Sequence, residues 1–337
     1  MATTTPTPAT TFTDSTSPGH EFREVTFPSA DIELAGTLRL PEGESVPGVV
    51  LIHGSGPNSR DATVAGQLNM GFGFTIPIFA ELGDALQDAG FAVLSYDKRS
   101  CGPFNGCADN GYLMPGDDIV VDDFITDAEA AVAFRRSQPE VDPDRVSVVG
   151  HSQGAEFVTL MLAADSQLAN GVMLAGPYRP IDEINEFQYF SSLDLLVSLL
   201  GFTREQAVNE LGDFGMMLRG LADIRNGGTE PVSGVSATFW NSWFDLGNAK
   251  IEAVAASEQP VLILAGGYDW NMPVSEAEAW DELFTEAGRE HTTVVLDCIT
   301  HGLNCVSEPD ITAIGADDIG EHVSQDVIDA LVSFLTE

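Results

Sequence analysis

The sequence predicts an α/β fold: a mostly parallel, doubly wound sheet of about eight strands with an inserted helical region. Short apolar runs recur, each followed by a glycine-rich or polar turn: GVVLI (48–52), FAVLSY (91–96), VSVV (146–149), GVMLA (171–175), VLILA (261–265) and TTVVL (292–296). Runs of this length without alternation are typical of strands buried on both faces of a parallel sheet. Apolar residues at spacings of three and four predict intervening helices at Ile78–Ala89, Asp117–Arg136, Ala155–Ala164 and Val323–Leu335.

The folded part of the chain opens with a different pattern. Between Asp31 and Leu40 the apolar residues occupy alternate positions, which is typical of a half-buried antiparallel strand. We expect this strand to pair with a preceding one at Phe22–Phe27. Residues 1–20 are rich in Thr, Ser and Pro and offer too few apolar side chains to order themselves, so we predict a disordered tail there.

One long interval interrupts the alternation of strands and helices. About 85 residues separate the strand ending near Ala175 from the strand starting at Val261, more than a crossover connection needs. Helical patterns rich in Phe, Leu, Met and Trp fill it, at Ile184–Leu200, Arg204–Arg225 and Trp240–Ala256. We predict a helical cap at residues 178–250, inserted into a core formed by residues 21–177 and 251–337. The alternative is a boundary with a separate domain, but the later strands must rejoin the sheet.

The chain is strongly acidic. Asp and Glu number 52 against 14 Lys and Arg, the net charge is −38, and the lysines are Lys98 and Lys250. This charge disfavours nucleic acid and anionic membranes as partners. Because self-repulsion strains a compact state unless salt screens it, we interpret the composition as halophilic, with an ordinary acidic protein as the alternative. No run approaches the ~18 apolar residues of a membrane span, and nothing in the sequence indicates an oligomeric state.

The four cysteines form two close pairs in sequence, Cys101 with Cys107 and Cys298 with Cys305. Two local disulfides are the simplest pairing and would imply an oxidising compartment, although other pairings and free thiols remain open. Neither pair has the spacing of a zinc site, and we expect no metal. The N-terminal segment lacks the regions of a signal peptide but is typical of a tether that follows a removed leader or lipid anchor. We therefore expect an exported protein, extracellular, periplasmic or surface-tethered.

A candidate nucleophile stands in the sequence GHSQG (150–154), between a buried strand and a helix. In this context the serine of a G-x-S-x-G motif sits on a strained strand-to-helix turn, and glycines at 150 and 154 leave room for the neighbouring backbone. The N–H groups at the start of the following helix face the place where negative charge develops. We predict that Ser152 is a nucleophile.

A serine hydroxyl needs a base, and the base needs a carboxylate to orient it. Asp269 directly follows the buried strand VLILA and is the candidate acid. His301 follows the strand TTVVL and precedes a glycine that allows a tight loop, which makes it the candidate base. His291 precedes this strand and His322 falls near the start of the final helix, so both are weaker candidates. A bridge between the cysteines that flank His301 would restrict the motion of the base.

The loop HGSGP (53–57) follows the first parallel strand. Acyl transfer needs two donors for the oxyanion, and we assign them to the backbone N–H groups of Ser55 and Gln153. A phosphate loop is the alternative, but the lysine and length of that motif are missing. Further along, Lys98 lies within DKR (97–99), where we expect a charge network that holds the oxyanion loop rather than direct contact with substrate.

Taken together, these motifs resemble the α/β-hydrolase superfamily, in particular carboxylesterases with a helical cap. The resemblance rests on LAGTL (34–38), GSGP (54–57), RD (60–61), YDKR (96–99) and GHSQG (150–154), and covers roughly residues 22–177 and 255–337. It implies the catalytic triad Ser152, Asp269 and His301, an oxyanion donor at Ser55, and no cofactor. The chain departs from the family at Ser100-Cys101, where the family continues with glycine.

The resemblance implies hydrolysis of a carboxylic ester through an acyl-enzyme on Ser152. Peptidase, thioesterase and acyltransferase chemistry on the same triad remain alternatives, since the fold alone does not fix the reaction. An apolar cap favours an uncharged acyl or aromatic ester of modest size. A non-catalytic binding protein of this fold is the alternative from another class, although such proteins typically lack part of the triad.

Overall fold

The computed structural model describes residues 12–17, 20–30, 32–65, 75–102, 107, 119–198, 200–308, 310, 313–314 and 316–337. The predicted disordered tail falls partly outside these residues, at positions 1–11 and 18–19, and so do positions 117–118 of the predicted helix at 117–136. Within the described ranges no helix is long and apolar enough to cross a membrane.

A nine-stranded sheet forms the centre of the protein. The strands are β1 (Phe12–Ser17), β2 (His20–Ser29), β3 (Ile32–Arg39), β4 (Val46–Ile52), β7 (Ala92–Tyr96), β8 (Val141–His151), β9 (Leu168–Leu174), β10 (Val261–Gly266) and β11 (His291–Leu296), and a separate ribbon pairs β5 (Thr63–Ala65) with β6 (Thr75–Pro77). The sheet order is β1-β2-β3-β7-β4-β8-β9-β10-β11. The six strands from β7 to β11 in this order pair in parallel with one another. Antiparallel pairs join β1 to β2, β2 to β3 and β3 to β7. This confirms the predicted mostly parallel sheet.

Strand β1 differs from the prediction of a disordered tail over residues 1–20. It pairs with β2 at the sheet edge, where Ser15 lies opposite Phe22. A segment of Thr and Ser can extend a sheet in this way because the ladder uses backbone groups and does not require buried side chains. The remaining eight strands match the expected number.

Helices cover both faces of the sheet, as a doubly wound fold requires. They are α1 (Ile78–Asp88), α2 (Val121–Arg136), α3 (Gln153–Ala164), α4 (Ile181–Ser198), α5 (Arg204–Glu210), α6 (Gly212–Arg225), α7 (Ala237–Ala256), α8 (Val274–Glu286) and α9 (Gln325–Thr336). Side chains of α1 and α9 pack in one apolar core, and side chains of α2, α3, α7 and α8 pack in the other. Helix α8, between β10 and β11, was not predicted from the sequence.

The predicted cap corresponds to helices α4 to α7. Where one helix was predicted at 204–225, the structure has two, because the helical backbone is interrupted at Leu211. The Leu211 side chain packs in a small apolar core with Leu193 and Ala207. Helix α7 continues past the expected boundary at 250 as far as Ala256, and its inner face joins the main core. This last helix of the predicted insertion therefore also packs in the core of the sheet.

Candidate active site

Ser152 lies at the turn between β8 and α3, where its backbone has a φ of 54°. A positive φ is unfavourable for serine, and the turn is fixed by the Ser152 N–H, which donates to the Leu174 carbonyl on β9 at 2.9 Å. A Cβ at Gly150 would lie 2.2 Å from the Gly154 carbonyl oxygen, and a Cβ at Gly154 would lie 2.2 Å from the Ile52 carbonyl oxygen. Both glycines are required for the turn that presents the serine at the carboxyl edge of the sheet.

Asp269 and His301 come from the loops after β10 and β11. The Nδ1 atom of His301 lies 2.8 Å from Oδ2 of Asp269, and both side chains are buried. The other oxygen of Asp269 accepts the backbone N–H groups of Asn271 and Met272, each at 2.8 Å. A carboxylate held in this way keeps a proton on Nδ1 and leaves Nε2 as the nitrogen that can accept one.

The other two candidate histidines lie elsewhere. His291 has its Nε2 3.2 Å from Oδ1 of Asp281, and His322 has its Nδ1 2.8 Å from Oε1 of Glu81. His301, in contrast, lines a cavity together with Ser152. Of the three histidines that follow Asp269 in the chain, His301 is therefore the one that the structure places beside Asp269 and Ser152.

The loop that carries His301 is closed by a disulfide between Cys298 and Cys305. Backbone hydrogen bonds add to this closure, with Thr300 N–H donating to the Asn304 carbonyl at 2.9 Å and Leu303 N–H donating to the Thr300 carbonyl at 3.0 Å. Cys101 and Cys107 form the second disulfide. Both local pairings agree with the prediction.

Two neutral histidines support the site from behind. The Nε2–H of His151 donates to the His301 carbonyl at 2.8 Å, and Nε2 of His53 contacts the Tyr96 carbonyl. Burial lowers the pKa of His151 to about 3 and that of His53 to about 4. Each ring therefore stays uncharged at neutral pH and acts as a hydrogen-bond donor. The side chain of His151, which precedes Ser152, thus fixes the backbone of His301.

Lys98 is buried beneath the loop that follows β4. Its Nζ donates to the Gly54 carbonyl at 2.6 Å and to Oε1 of Gln153 at 2.8 Å, and it lies 4.5 Å from the centre of the Phe124 ring. Asn58 Nδ2 also donates to the Gly54 carbonyl, at 3.0 Å. Burial lowers the pKa of Lys98 to about 7. One ammonium group therefore ties the HGSGP loop to the residue that follows Ser152.

The neighbours of Lys98 anchor this strand end by ion pairs. Asp97 accepts the Arg60 guanidinium at 3.1 and 2.8 Å and the Arg60 backbone N–H at 2.8 Å. Arg99 donates to both oxygens of Asp127 at 2.7 Å. Paired carboxylates and guanidiniums of this kind fix direction as well as distance. The Asp97–Arg60 pair therefore joins this strand end to the segment after the HGSGP loop, and the Arg99–Asp127 pair joins it to α2.

Two cavities meet at Ser152. The larger, of about 300 Å³, lies under the cap and has a predominantly apolar lining that includes Phe124, Trp240 and Trp243. The smaller, of about 190 Å³, contains His301 and polar side chains. Ser55 lines both cavities, as Ser152 does.

A buried ion pair that the sequence did not predict connects the cap to the helix behind the nucleophile. Nζ of Lys250 on α7 lies 2.5 Å from Oε1 of Glu156 on α3 and donates to the carbonyls of Pro177 and Arg179 at 2.9 and 3.1 Å. Burial raises the pKa of Glu156, and the Lys250 charge opposes this. The available signal was the scarcity of lysine: in so acidic a chain, each of the two lysines has a defined internal partner.

A parallel sheet with a serine on a strained strand-to-helix turn and a carboxylate–histidine pair delivered by later loops defines the class of α/β hydrolases. Within that class, the chain belongs to the serine aminopeptidase S33 family, whose model matches residues 67–305.

Among curated proteins, the esterase EstD of Thermotoga maritima is 30% identical over 309 residues, which is 90% of this chain and 66% of that enzyme, just under two thirds of its length. Two solved structures share the fold. Est1E from Butyrivibrio proteoclasticus superposes with a TM-score of 0.54 at 16% identity and covers 93% of this chain and 97% of its own. The Pyrococcus horikoshii acylaminoacyl peptidase superposes with a TM-score of 0.54 at 17% identity and covers 84% of this chain and 38% of its own.

Proposed function

We propose that this protein hydrolyses carboxylic esters through an acyl-enzyme on Ser152. The observation that carries the proposal is the hydrogen-bonded pair of Asp269 and His301, whose histidine shares a cavity with Ser152. The 30% identity to an esterase over 90% of the chain supports the same reaction class.

In the proposed mechanism His301 accepts the proton of Ser152 as the serine oxygen attacks the ester carbonyl. Asp269 stabilises the imidazolium that forms. The histidine then protonates the departing alkoxide, which leaves as an alcohol. A water molecule, deprotonated by the same histidine, releases the acid and restores the serine.

We assign the oxyanion donors to the backbone N–H groups of Ser55 and Gln153. The Gln153 N–H begins α3, so the helix N-terminus adds its partial positive charge at the oxyanion. The Ser55 N–H belongs to the same peptide group as the Gly54 carbonyl, which accepts from Lys98 and Asn58. In a trans peptide the N–H and the C=O point in opposite directions. Hydrogen bonds on the carbonyl therefore aim the N–H.

Peptide hydrolysis is the second candidate, because the family is named for an aminopeptidase. An aminopeptidase must pair the free ammonium of its substrate with a carboxylate. Among the described residues that line the two cavities, the one carboxylate is that of Glu156, and it is already paired with Lys250 at 2.5 Å. This arrangement favours an ester over a peptide with a free N-terminus.

The test combines a covalent probe with an ester assay. A fluorophosphonate should label Ser152, and nitrophenyl esters should be hydrolysed, whereas Ser152→Ala should abolish both. Aminoacyl nitroanilides, run in parallel, report peptidase activity. Labelling without ester hydrolysis, or faster cleavage of the anilides, would contradict the proposal.

We further infer that the protein works in an oxidising compartment, because two disulfides lie beside its functional loops.

The Cys298–Cys305 bridge closes a loop of eight residues around His301. By lowering the entropy of the unfolded chain, such a bridge stabilises the folded protein by about 2–3 kcal/mol. A Cys298→Ser/Cys305→Ser variant should lose kcat while staying folded. The matched control is Cys101→Ser/Cys107→Ser, which opens a bridge that does not contain the base. Equal kcat in the two variants would show that the Cys298–Cys305 bridge has no specific effect on His301.

A further inference from the structure

The two cavities at Ser152 differ in one catalytically decisive residue. His301 lines the smaller cavity, and the larger cavity does not contain it among its described lining residues. In the proposed mechanism the histidine must give its proton to the departing alkoxide. The alcohol side of the ester therefore lies in the cavity with His301, and the acyl side lies in the larger cavity under the cap.

The acyl cavity, as we call the larger one, is built for an apolar group that contains a ring. Its volume is about 300 Å³, twice that of a cavity that holds benzene, about 150 Å³. Trp240 and Trp243 stack at 5.8 Å between ring centroids, and Phe239 meets both edge-on. Aromatic walls of this kind favour a flat or edge-on aromatic partner.

Charged acyl groups are disfavoured in the acyl cavity. Among the described residues that line it, the charged ones are Glu156 and Lys98, which are buried and already engaged by Lys250, Gly54 and Gln153. A substrate carboxylate or ammonium would leave water without gaining a counter-ion of its own, which is costly. The acyl group is therefore uncharged.

The alcohol cavity, the smaller one, has the opposite character. It measures about 190 Å³ and is lined by the polar side chains of Asn58, Asn271 and His151, together with Gln188, which also lines the acyl cavity. Amides offer both donors and acceptors. This cavity suits a small alcohol with hydroxyl groups or a methyl ester, not a second bulky apolar group.

From this asymmetry we propose that the substrates are esters of uncharged arylalkanoic acids with small, polar alcohols. The assignment rests on the proposed ester hydrolysis and adds the direction in which the ester lies across Ser152. This direction is inferred from the position of His301, which lines the alcohol cavity and is not among the described residues that line the acyl cavity.

Two isomeric esters test the direction. Methyl 3-phenylpropanoate places the phenyl group on the acyl side, and 2-phenylethyl acetate, of identical composition, places it on the alcohol side. We expect kcat/KM to be at least about tenfold higher for the methyl ester, the scale of discrimination that an apolar pocket provides. Equal values, or a preference for the acetate, would overturn the assignment and leave ester hydrolysis standing.

A pair of cap variants locates the acyl group. Met217 lines the acyl cavity, whereas its neighbour Met216 on α6 is 56% exposed and does not. Met217→Trp should lower kcat/KM for methyl 3-phenylpropanoate by about fivefold or more and leave 2-phenylethyl acetate within about twofold, because acetyl is small. Met216→Trp should change neither ester. A drop for the acetate alone would reverse the assignment of the cavities.

The outcomes also separate this inference from the proposed function. Hydrolysis of neither isomer by a protein that labels at Ser152 and still hydrolyses nitrophenyl esters would overturn the substrate assignment alone. Absence of both hydrolysis and labelling would overturn the proposed function, and the substrate assignment with it.

Discussion

Replacement of Lys98 by Met tests how the oxyanion site is held. Methionine keeps the length and apolar stem of lysine but removes the ammonium that donates to the Gly54 carbonyl at 2.6 Å and to Oε1 of Gln153 at 2.8 Å. The peptide group that carries the Ser55 N–H is then held at its carbonyl by Asn58, at 3.0 Å. Lys98 therefore acts as a positioning residue, one step removed from the reacting atoms.

The magnitude follows from the number of restraints that are lost. Complete removal of an oxyanion donor costs about 2.7–4 kcal/mol. Lys98→Met leaves both N–H donors in place and removes one of the two side-chain restraints on the Gly54 carbonyl. We expect about half of that cost, a fall in kcat of roughly 10–30-fold. KM should change little, because the restraint acts on the oxyanion and not on the acyl group.

The assay measures kcat and KM on a nitrophenyl ester, together with unfolding in urea as a function of pH. Burial lowers the pKa of Lys98 in the folded state to about 7 from an ordinary value of 10.5. Between these pH values the unfolded chain binds more protons at this site, so the unfolding free energy of the wild type rises with pH relative to Lys98→Met. Unchanged kcat in a folded variant would refute the positioning role, and parallel stability curves would refute the burial of a charge.

Three further changes test the candidate acid, the buried ion pair and the net charge. Asp269→Asn should lower kcat by about 10³–10⁴-fold in a folded protein, because the amide can no longer hold the tautomer of His301 that accepts a proton on Nε2; circular dichroism and burst kinetics check it. Lys250→Met should lower the free energy of unfolding by about 3–5 kcal/mol, because it leaves Glu156 buried and unpaired, and the double variant with Glu156→Gln should recover most of this loss in a urea titration. Raising KCl from about 0.1 to about 2 M should raise the thermal midpoint, because the net charge of −38 is screened; a flat midpoint would contradict the halophilic interpretation.

The sheet could be predicted from sequence because its signals are local. Short continuous apolar runs bounded by turn residues, such as VLILA (261–265), are typical of strands buried on both faces, and this run forms β10 as expected. The turn at Ser152 was also encoded locally, in two glycines whose Cβ positions would meet backbone at 2.2 Å. Asp269 and His301 could be proposed as a pair because chain order and strand ends restrict where such partners can lie, and the structure places their side chains 2.8 Å apart.

The features that escaped prediction depend on contacts between distant segments. Lys250 and Glu156, whose side chains pair, are 94 positions apart in the chain. Neither residue stands out by periodicity or by a motif. Strand β1 was missed for a related reason: edge pairing uses backbone hydrogen bonds, which composition does not report.

The placement of the two lysines is explained by geometry rather than by charge balance. A cation on the surface of so acidic a chain would gain little, since exposed ion pairs contribute about 0–1 kcal/mol. Lys250 instead meets one carboxylate and two carbonyls that converge from separate segments, and Lys98 meets a carbonyl, an amide oxygen and an aromatic face. A compact ammonium with three rotatable donors can satisfy such a set, and a planar guanidinium cannot. Lys98→Arg should therefore lose as much kcat as Lys98→Met despite keeping the charge. Recovery of activity by arginine would show that charge alone, not the convergence of two acceptors and a ring, positions the loop.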